Sequence, residues 1–245
     1  LRLDFDLWDQ GNSDSDPSAA ELAPYDTVLW FTGDEFGGSA GPGGAAEDAL
    51  AIWLDSDRKC LLLSAQDYHY DRDLTPFMQS HLGLASASDD TNQTTVTGAG
   101  SVFGGHGPYS LSYPFSNYSD TMTPTALGRM DFLGNQGGAA VGAYTGFSYA
   151  TFWGFPWEAL PTVGDREAAL QTFLNACNDA VAGIFRNGFE SGDLGGWPLS
   201  SPSFCGIPPL AGTSSPSGPT SRPRACAAFE VSTTTNRTTW RNSSS

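Results

Sequence analysis

The chain has 245 residues, of which 27 are acidic and 11 are basic, and its formal net charge is −16. Hydrophobic residues make up 39% of it, which excludes wholesale disorder, and no apolar run reaches the roughly 18 residues that a membrane helix needs. This charge repels phosphate backbones and no basic patch offsets it, so we expect neither nucleic acid nor a membrane as a partner.

The first 83 residues alternate between strand-like and helix-like segments. The residue patterns predict strands at 2–9, 27–34 and 59–66. The second and third of these are nearly continuous apolar runs, as is typical of buried parallel strands. Helical spacing of apolar residues predicts helices at 18–26, 45–57 and 74–83.

The second half is less regular until residue 138. Residues 84–136 are polar and rich in glycine without a clear period, and we expect loops and short β segments there. A β-hairpin then leads into a buried strand around 149–155, and a helix begins at Asp165 with an apolar stripe on one face. This order of elements predicts an α/β layered sheet.

Composition changes sharply near residue 197. Residues 1–197 carry 26 acidic and 7 basic side chains, whereas 198–245 carry one acidic residue and four arginines. More than half of 198–245 is Ser, Thr and Pro, which cannot bury enough apolar surface to offset its ordering entropy. We therefore expect a disordered or non-native tail at 198–245.

Three blocks of the sequence resemble the class I glutamine amidotransferase-like fold: YDTVLWFTGD, KCLLLSAQDYHYD, and FWGFPWEALP followed by the DREAALQTFL helix. The resemblance covers residues 1–183 and is to the divergent form found as a module in secreted bacterial proteins such as peptidases. It implies a doubly wound, mostly parallel, flavodoxin-like sheet whose usual first strand and helix would lie upstream of Leu1. On this interpretation the chain is an N-terminally truncated fragment.

The active amidotransferases carry a cysteine on the turn after the strand that corresponds to 59–66, and a His-x-Glu pair after the last strand. This chain has Ser64-Ala65-Gln66-Asp67 at the first place and Gly154-Phe155-Pro156-Trp157-Glu158 at the second. Of the cysteine, histidine and glutamate of the active enzymes, only the glutamate has a counterpart here, Glu158. Neither a thiol nor an imidazole occupies the other two positions. The resemblance thus implies a pseudoenzyme that cannot hydrolyse glutamine by that mechanism.

Five polar residues belong to turns at the carboxyl ends of predicted strands, where open α/β sheets bind ligands: Asp34, Glu35, Gln66, Asp67 and Glu158. One interpretation is a polar pocket for a sugar, a peptide or a cation. The other is that these side chains cap helices and brace loops.

A hydrolase is the alternative from another class. Ser64 would be its nucleophile, His69 or His106 its base, and Glu158 or Asp67 the orienting acid. The absence of a G-x-S-x-G motif around Ser64 counts against this arrangement.

Two further patterns leave alternatives open. The run 12–16, NSDSD, alternates oxygen ligands as calcium loops do, but it lacks the glycine and the distal glutamate of an EF-hand, and a solvated turn is the other interpretation. Aromatic residues at 103–118 and 144–157 form either a sugar-stacking platform or part of the core: Tyr109, Tyr113, Phe115, Tyr118, Tyr149, Trp153 and Trp157.

The four cysteines lack C-x-x-C spacing, which argues against a zinc site or a thioredoxin-type site, and apart from the calcium alternative at 12–16 we expect no cofactor. Cys60 opens a predicted strand, and Cys177 lies near the end of a helix that should run back antiparallel to its strand. Both would then lie at the same edge of the sheet, which predicts a Cys60–Cys177 disulfide.

Residues 184–197, with FESGDL and a tryptophan, resemble the opening of a short C-terminal segment of secreted bacterial proteins. Together these features predict a secreted, non-catalytic accessory or interaction module of a multidomain bacterial protein, for which we expect a peptidase. Its partners would be other domains of that protein, a peptide or a polysaccharide. A hydrolase and a carbohydrate-binding module are the alternatives.

Overall fold

The computed structural model describes residues 4–9, 16–38, 40–56, 58–182 and 239–240. The strands are β1 (Asp4–Phe5), β2 (Thr27–Phe31), β3 (Cys60–Ser64), β4 (Leu84–Ser88), β5 (Thr95–Gly98), β6 (Tyr109–Ser110), β7 (Thr121–Pro124), β8 (Gly128–Gly134), β9 (Gly138–Thr145), β10 (Ser148–Trp153) and β11 (Thr239–Trp240). The α-helices are α1 (Ala19–Leu22), α2 (Gly44–Asp55), α3 (Tyr68–Arg72), α4 (Pro76–Ser80), α5 (Gly100–Phe103) and α6 (Val163–Ala182).

The chain has an α/β fold around a seven-stranded sheet with the strand order β2-β3-β10-β9-β8-β5-β6. The first three of these strands are parallel to one another, as the apolar runs at 27–34 and 59–66 predict. The other four pairings are antiparallel. Strands β4 and β7 form a separate antiparallel pair.

The expected doubly wound, mostly parallel sheet is therefore not confirmed, because only two of the six pairings in this sheet are parallel. The reason lies in the connections. Residues 135–137 join β8 to β9 and residues 146–147 join β9 to β10. A parallel pair needs a crossover of about a dozen residues or more, so such short turns produce hairpins.

Helices nevertheless cover both faces of the sheet. Leu61 and Leu63 of β3 point into one apolar cluster, which also contains Trp53 of α2, Tyr68 of α3 and Phe77 of α4. The alternate β3 residues point into a second cluster on the other face, built with Phe103 of α5 and with Ala169 and Phe173 of α6. This period of two along β3 is what a strand buried on both faces requires.

The predicted Cys60–Cys177 disulfide is confirmed. The two Cα atoms are 5.9 Å apart, and the bond joins β3 to α6 across 117 residues of sequence. Both cysteines are buried in the second cluster. The disulfide therefore fixes the long C-terminal helix onto the face of the parallel strands.

Several element boundaries differ from the sequence expectations. Helix α4 ends at Ser80, earlier than the predicted 83, and helix α3 was not predicted. Ser18 begins α1 with a capping box, in which its hydroxyl accepts from the Glu21 N–H and the Glu21 carboxylate accepts from the Ser18 N–H. Strand β2 lies at an edge of the sheet and its residues are half-buried or exposed, although its apolar run predicts a fully buried strand.

A buried carboxylate, that of Asp131, lies on the face of the sheet that packs against the second cluster. The carboxylate of Asp131 on β8 accepts hydrogen bonds from the hydroxyl groups of Tyr149 and Thr151, both at 2.7 Å. The Arg129 guanidinium lies 4.0 Å from the ring centroid of Tyr144. Burial raises the pKa of Asp131 to about 6, although both hydroxyl hydrogen bonds and the charge of Arg129 oppose the rise.

The chain divides into one unit of 1–184 with 238–245 and a second of 185–237. The second unit lies outside the described residues, as do residues 184–197 and most of the predicted tail. Of 198–245 only β11 is described, and it pairs in parallel with β1. Within the described ranges, no helix combines the length and the hydropathy needed to cross a membrane.

Candidate functional site

Strands β2, β3 and β10 end together at one edge of the sheet. Ser64, the last residue of β3, is in register with Phe31 of β2 and Trp153 of β10. The residues that follow these three strands therefore lie at the same edge, which we call the carboxyl edge. All five predicted pocket residues are in those following turns.

Ser64 is buried at this edge, with 1% of its surface exposed. Its hydroxyl donates to the carbonyl oxygen of Phe155 at 3.1 Å and accepts from the N–H of Trp157 at 2.7 Å. The hydroxyl therefore holds the turn after β10 against the end of β3. A nucleophile would instead direct its proton to a base.

Both histidines offered as the base have other partners. Nδ1 of His69 lies 2.6 Å from the Asp89 carboxylate. The ring nitrogens of His106 lie 3.0 Å from the Tyr109 hydroxyl and 2.8 Å from the Thr172 hydroxyl on α6. Burial lowers the pKa of His106. Neither set of contacts includes Ser64.

Gln66 is also buried and holds the loop between β6 and β7 over the carboxyl edge. Its Nε2 donates to the carbonyl oxygen of Ser116, and its Oε1 accepts from the N–H of Tyr118, both at 3.1 Å. The loop is further tied down by Tyr113, whose hydroxyl donates to the carbonyl oxygen of Gln93 at 2.8 Å. Burial raises the pKa of Tyr113 to about 12. The Gln66 amide thus braces a loop.

Asp67, at the start of α3, is 6% exposed, and its side chain caps no N–H group of the helix. Its Oδ2 atom is buried and has no hydrogen-bond partner. Burial, together with the nearby carboxylates of Asp90, Asp71 and Asp89, raises its pKa to about 6. This side chain fits neither the role of a cap nor that of a solvated turn residue.

The structure brings Asp120 to the same place, although no motif in the sequence points to this residue. Asp120 is fully buried, and its N–H donates to the carbonyl oxygen of Gly154, the first residue after β10, at 2.7 Å. Its Oδ1 accepts from the N–H of Asp90 at 3.3 Å, while its Oδ2 has no partner. Burial, with the carboxylate of Asp89 as the next largest cause, raises its pKa to about 9.

We call Asp67, Asp89, Asp90 and Asp120 the acidic cluster. Two of its members come from the segment SDDTN and one from SNYSD, which are turn-rich and lack any period. The sequence carries no signal that these two segments meet, because β4 and β7 pair across more than thirty residues. Of these four residues, Asp67 is the one that the sequence could identify, because it follows a predicted strand.

The other three predicted pocket residues are more open. Asp34 is exposed and Glu35 is half-buried, with its N–H donating to the carbonyl oxygen of Thr32 at 3.1 Å. Glu158 is half-buried, and its carbonyl oxygen accepts from Arg166 at 3.2 Å. These carboxylates form the solvent-facing part of the carboxyl edge.

The aromatic candidates divide between core and surface. Tyr149 and Trp153 are fully buried. Trp157 is half-buried, with its ring centroid 5.6 Å from that of Trp153 and 5.4 Å from that of Phe31. Phe31 is 40% exposed. We call Phe31 and Trp157 the aromatic pair.

Most of the run 12–16 lies outside the described residues. Asp16 is described, and its Oδ2 accepts from the N–H of Gly43 at 3.0 Å. In the described part of the chain, no three carboxylate, imidazole or thiolate groups converge closely enough to hold a metal ion.

No protein-family model and no curated protein matches the chain. A cytoplasmic protein from Salmonella typhimurium aligns with a TM-score of 0.42 and 11% identity, over 64% of this chain and 74% of that one. A β-galactosidase from the haloarchaeon Halorubrum lacusprofundi aligns with a TM-score of 0.42 and 14% identity, over 68% of this chain and 23% of that one. An exo-β-1,4-mannosidase from an Opitutaceae bacterium aligns with a TM-score of 0.42 and 17% identity, over 68% of this chain and 26% of that one. These likenesses assign neither a family nor an activity.

Proposed function

We propose that this chain is a non-catalytic interaction module, built on an amidotransferase-like scaffold, of a secreted multidomain bacterial protein such as a peptidase. One observation carries the proposal. At the end of the strand whose following turn holds the reactive thiol in the amidotransferases, this chain has a buried hydroxyl whose hydrogen bonds go to the main chain at Phe155 and Trp157. This position contributes to stability and offers no activated nucleophile.

Export is supported by the Cys60–Cys177 disulfide. Disulfides persist in oxidising compartments and are rare in the bacterial cytosol. The bond connects two elements of the buried core, so the thiols pair as part of the fold.

The surface offered to a partner is the aromatic pair with the carboxylates beside it. Phe31 precedes Asp34 by three residues, and Trp157 precedes Glu158 directly. Aromatic faces beside hydrogen-bonding carboxylates suit a sugar ring or a peptide. The proposed partners are accordingly another domain of the parent protein, a peptide or a polysaccharide.

The proposal is tested with a panel of ester, peptide and glutamine substrates, using the full chain and its Ser64→Ala and Glu158→Gln variants. We expect no turnover with any of the three proteins. Turnover by the natural chain that disappears in either variant would establish the hydrolase and overturn the proposal.

A carbohydrate-binding module is the second candidate, and the partial exposure of the aromatic pair is the observation that favours it. Titration with soluble polysaccharides, followed by tryptophan fluorescence and calorimetry, tests it. Phe31→Ala should weaken binding at least tenfold, because stacking on the ring is lost. Tyr70→Ala, which removes an aromatic ring that is 62% exposed on α3, is the matched control and should bind normally.

A further inference from the structure

We propose that Asp67 and Asp120 together bind one calcium ion at the carboxyl edge of the sheet. Each side chain keeps one carboxylate oxygen, Oδ2, that is buried and accepts no hydrogen bond. Such an oxygen is stabilised by a proton, by a donor or by a cation, and a carboxylate that stays charged when buried is paired or coordinates a metal. Two of them at one edge of a sheet indicate a ligand of positive charge.

Hydrogen bonds place the loops that carry Asp67 and Asp120 side by side. The N–H of Asn92 and the hydroxyl of Thr91 both donate to the carbonyl oxygen of Ser119 at 3.1 Å, which fixes the turn after β4 beside Asp120. One residue before Ser119, the N–H of Tyr118 donates to the side chain of Gln66, the neighbour of Asp67 in the chain. Three loops that are distant in sequence therefore meet around the acidic cluster.

The charge of this region has one sign. Asp89 and Asp90 add two carboxylates to the buried pair, and Asp71 lies close enough to raise the pKa of Asp67. Among the described residues, the side chain that pairs with the cluster is His69, whose Nδ1 lies 2.6 Å from the Asp89 carboxylate. Arg72 on the same helix is directed to Glu47, 3.7 Å away. The Oδ2 atoms of the two buried carboxylates are thus left for a cation.

Calcium fits this donor set better than other metals. The available ligands are oxygen atoms, which suit hard cations, and no cysteine belongs to the cluster. Since no three carboxylate, imidazole or thiolate groups of the described residues converge, the protein would supply two carboxylates, and carbonyl oxygens or water would complete the shell. Calcium accepts six to eight oxygens in irregular geometry, whereas zinc and magnesium require stricter shells.

Calcium bound in this way would join the loops after β3, after β4 and before β7. It would also neutralise carboxylates whose burial as anions is unfavourable in its absence. If its affinity is that of extracellular modules, with a dissociation constant of about 0.1–1 mM, then 10 mM calcium should raise Tm by about 3–10 °C.

The test uses the full chain, dialysed against EDTA and titrated with calcium chloride in a calorimeter and in thermal unfolding. We expect one ion per chain and a rise in Tm, with magnesium at least tenfold weaker. Asp120→Asn and Asp67→Asn should each weaken calcium binding at least tenfold. In EDTA both variants should be as stable as the natural chain or more so, because a neutral amide replaces a buried carboxylate.

Two controls locate the ion. Asp34→Asn removes an exposed carboxylate of the same edge, and Asp14→Asn removes one from the run 12–16, so both should bind calcium normally. The proposal is wrong if the natural chain shows neither heat nor a change in Tm, or if Asp14→Asn abolishes binding while Asp67→Asn does not. Should Asp120→Asn fail to fold, Asp67→Asn decides the question alone.

Discussion

Loss of the Cys60–Cys177 disulfide should be the most destabilising covalent change available in the described part of the fold. The bond closes a loop across 117 residues. In the chain-entropy model, opening a loop of that length costs about 5 kcal/mol. For a folded unit of about 150–250 residues this corresponds to a fall in Tm of about 10–20 °C.

The assay is thermal unfolding of the oxidised chain, of the same chain reduced with a phosphine, and of the Cys60→Ala/Cys177→Ala variant. Reduction removes only the cross-link, whereas the variant also removes two buried sulfur atoms. The reduced chain should therefore lie between the other two. A Tm that is unchanged by reduction, with both thiols shown to be free by alkylation, would refute the reasoning.

Three substitutions test other parts of the fold. Ser64→Ala removes the hydrogen-bond partner of the Trp157 N–H and of the buried carbonyl oxygen of Phe155, and it should cost about 1–3 kcal/mol in urea unfolding; an unaffected midpoint would contradict the structural role of the hydroxyl. Asp131 has a pKa of about 6 in the fold against 3.8 without it, so its ionisation alone should remove roughly 3 kcal/mol of stability as the pH rises from 4 to above 6. Asp131→Asn should lack that loss, and identical pH profiles of the two proteins would refute the assignment. Gly98→Ala should lower the free energy of unfolding by at least about 2 kcal/mol, because the added Cβ would collide with the main chain of α5. Equal stability in the same assay would show that the contact can relax.

The parallel part of the fold could be predicted from sequence because its signals are local. The apolar runs that became β2 and β3, the helical spacing of α2 and α6, and the position of Cys60 relative to Cys177 all depend on a few neighbouring residues or on one helix reversal. For β2 the pattern identified the strand but not its exposure, which depends on its place at the edge of the sheet.

The antiparallel part could not be predicted to the same extent. Strand β8 alternates polar and apolar residues over 129–132, a pattern that predicts Asp131 on a solvent-facing side, yet Asp131 is buried and Tyr149 and Thr151 of β10 donate to it. Asp120 enters the candidate site through the pairing of β4 with β7, a long-range contact between two polar segments. Contacts with strands that are distant in sequence cannot be predicted from the local residue pattern.

Covalent probing of Ser64 tests the central claim most directly. The full chain is incubated with a fluorophosphonate that labels activated serines, beside an active serine hydrolase as positive control, and both are mapped by peptide mass spectrometry. We predict labelling of the control enzyme and no adduct on Ser64, because its hydroxyl is buried and bonded to the main chain. A stoichiometric adduct on Ser64 would contradict the account and establish a reactive centre at the carboxyl edge.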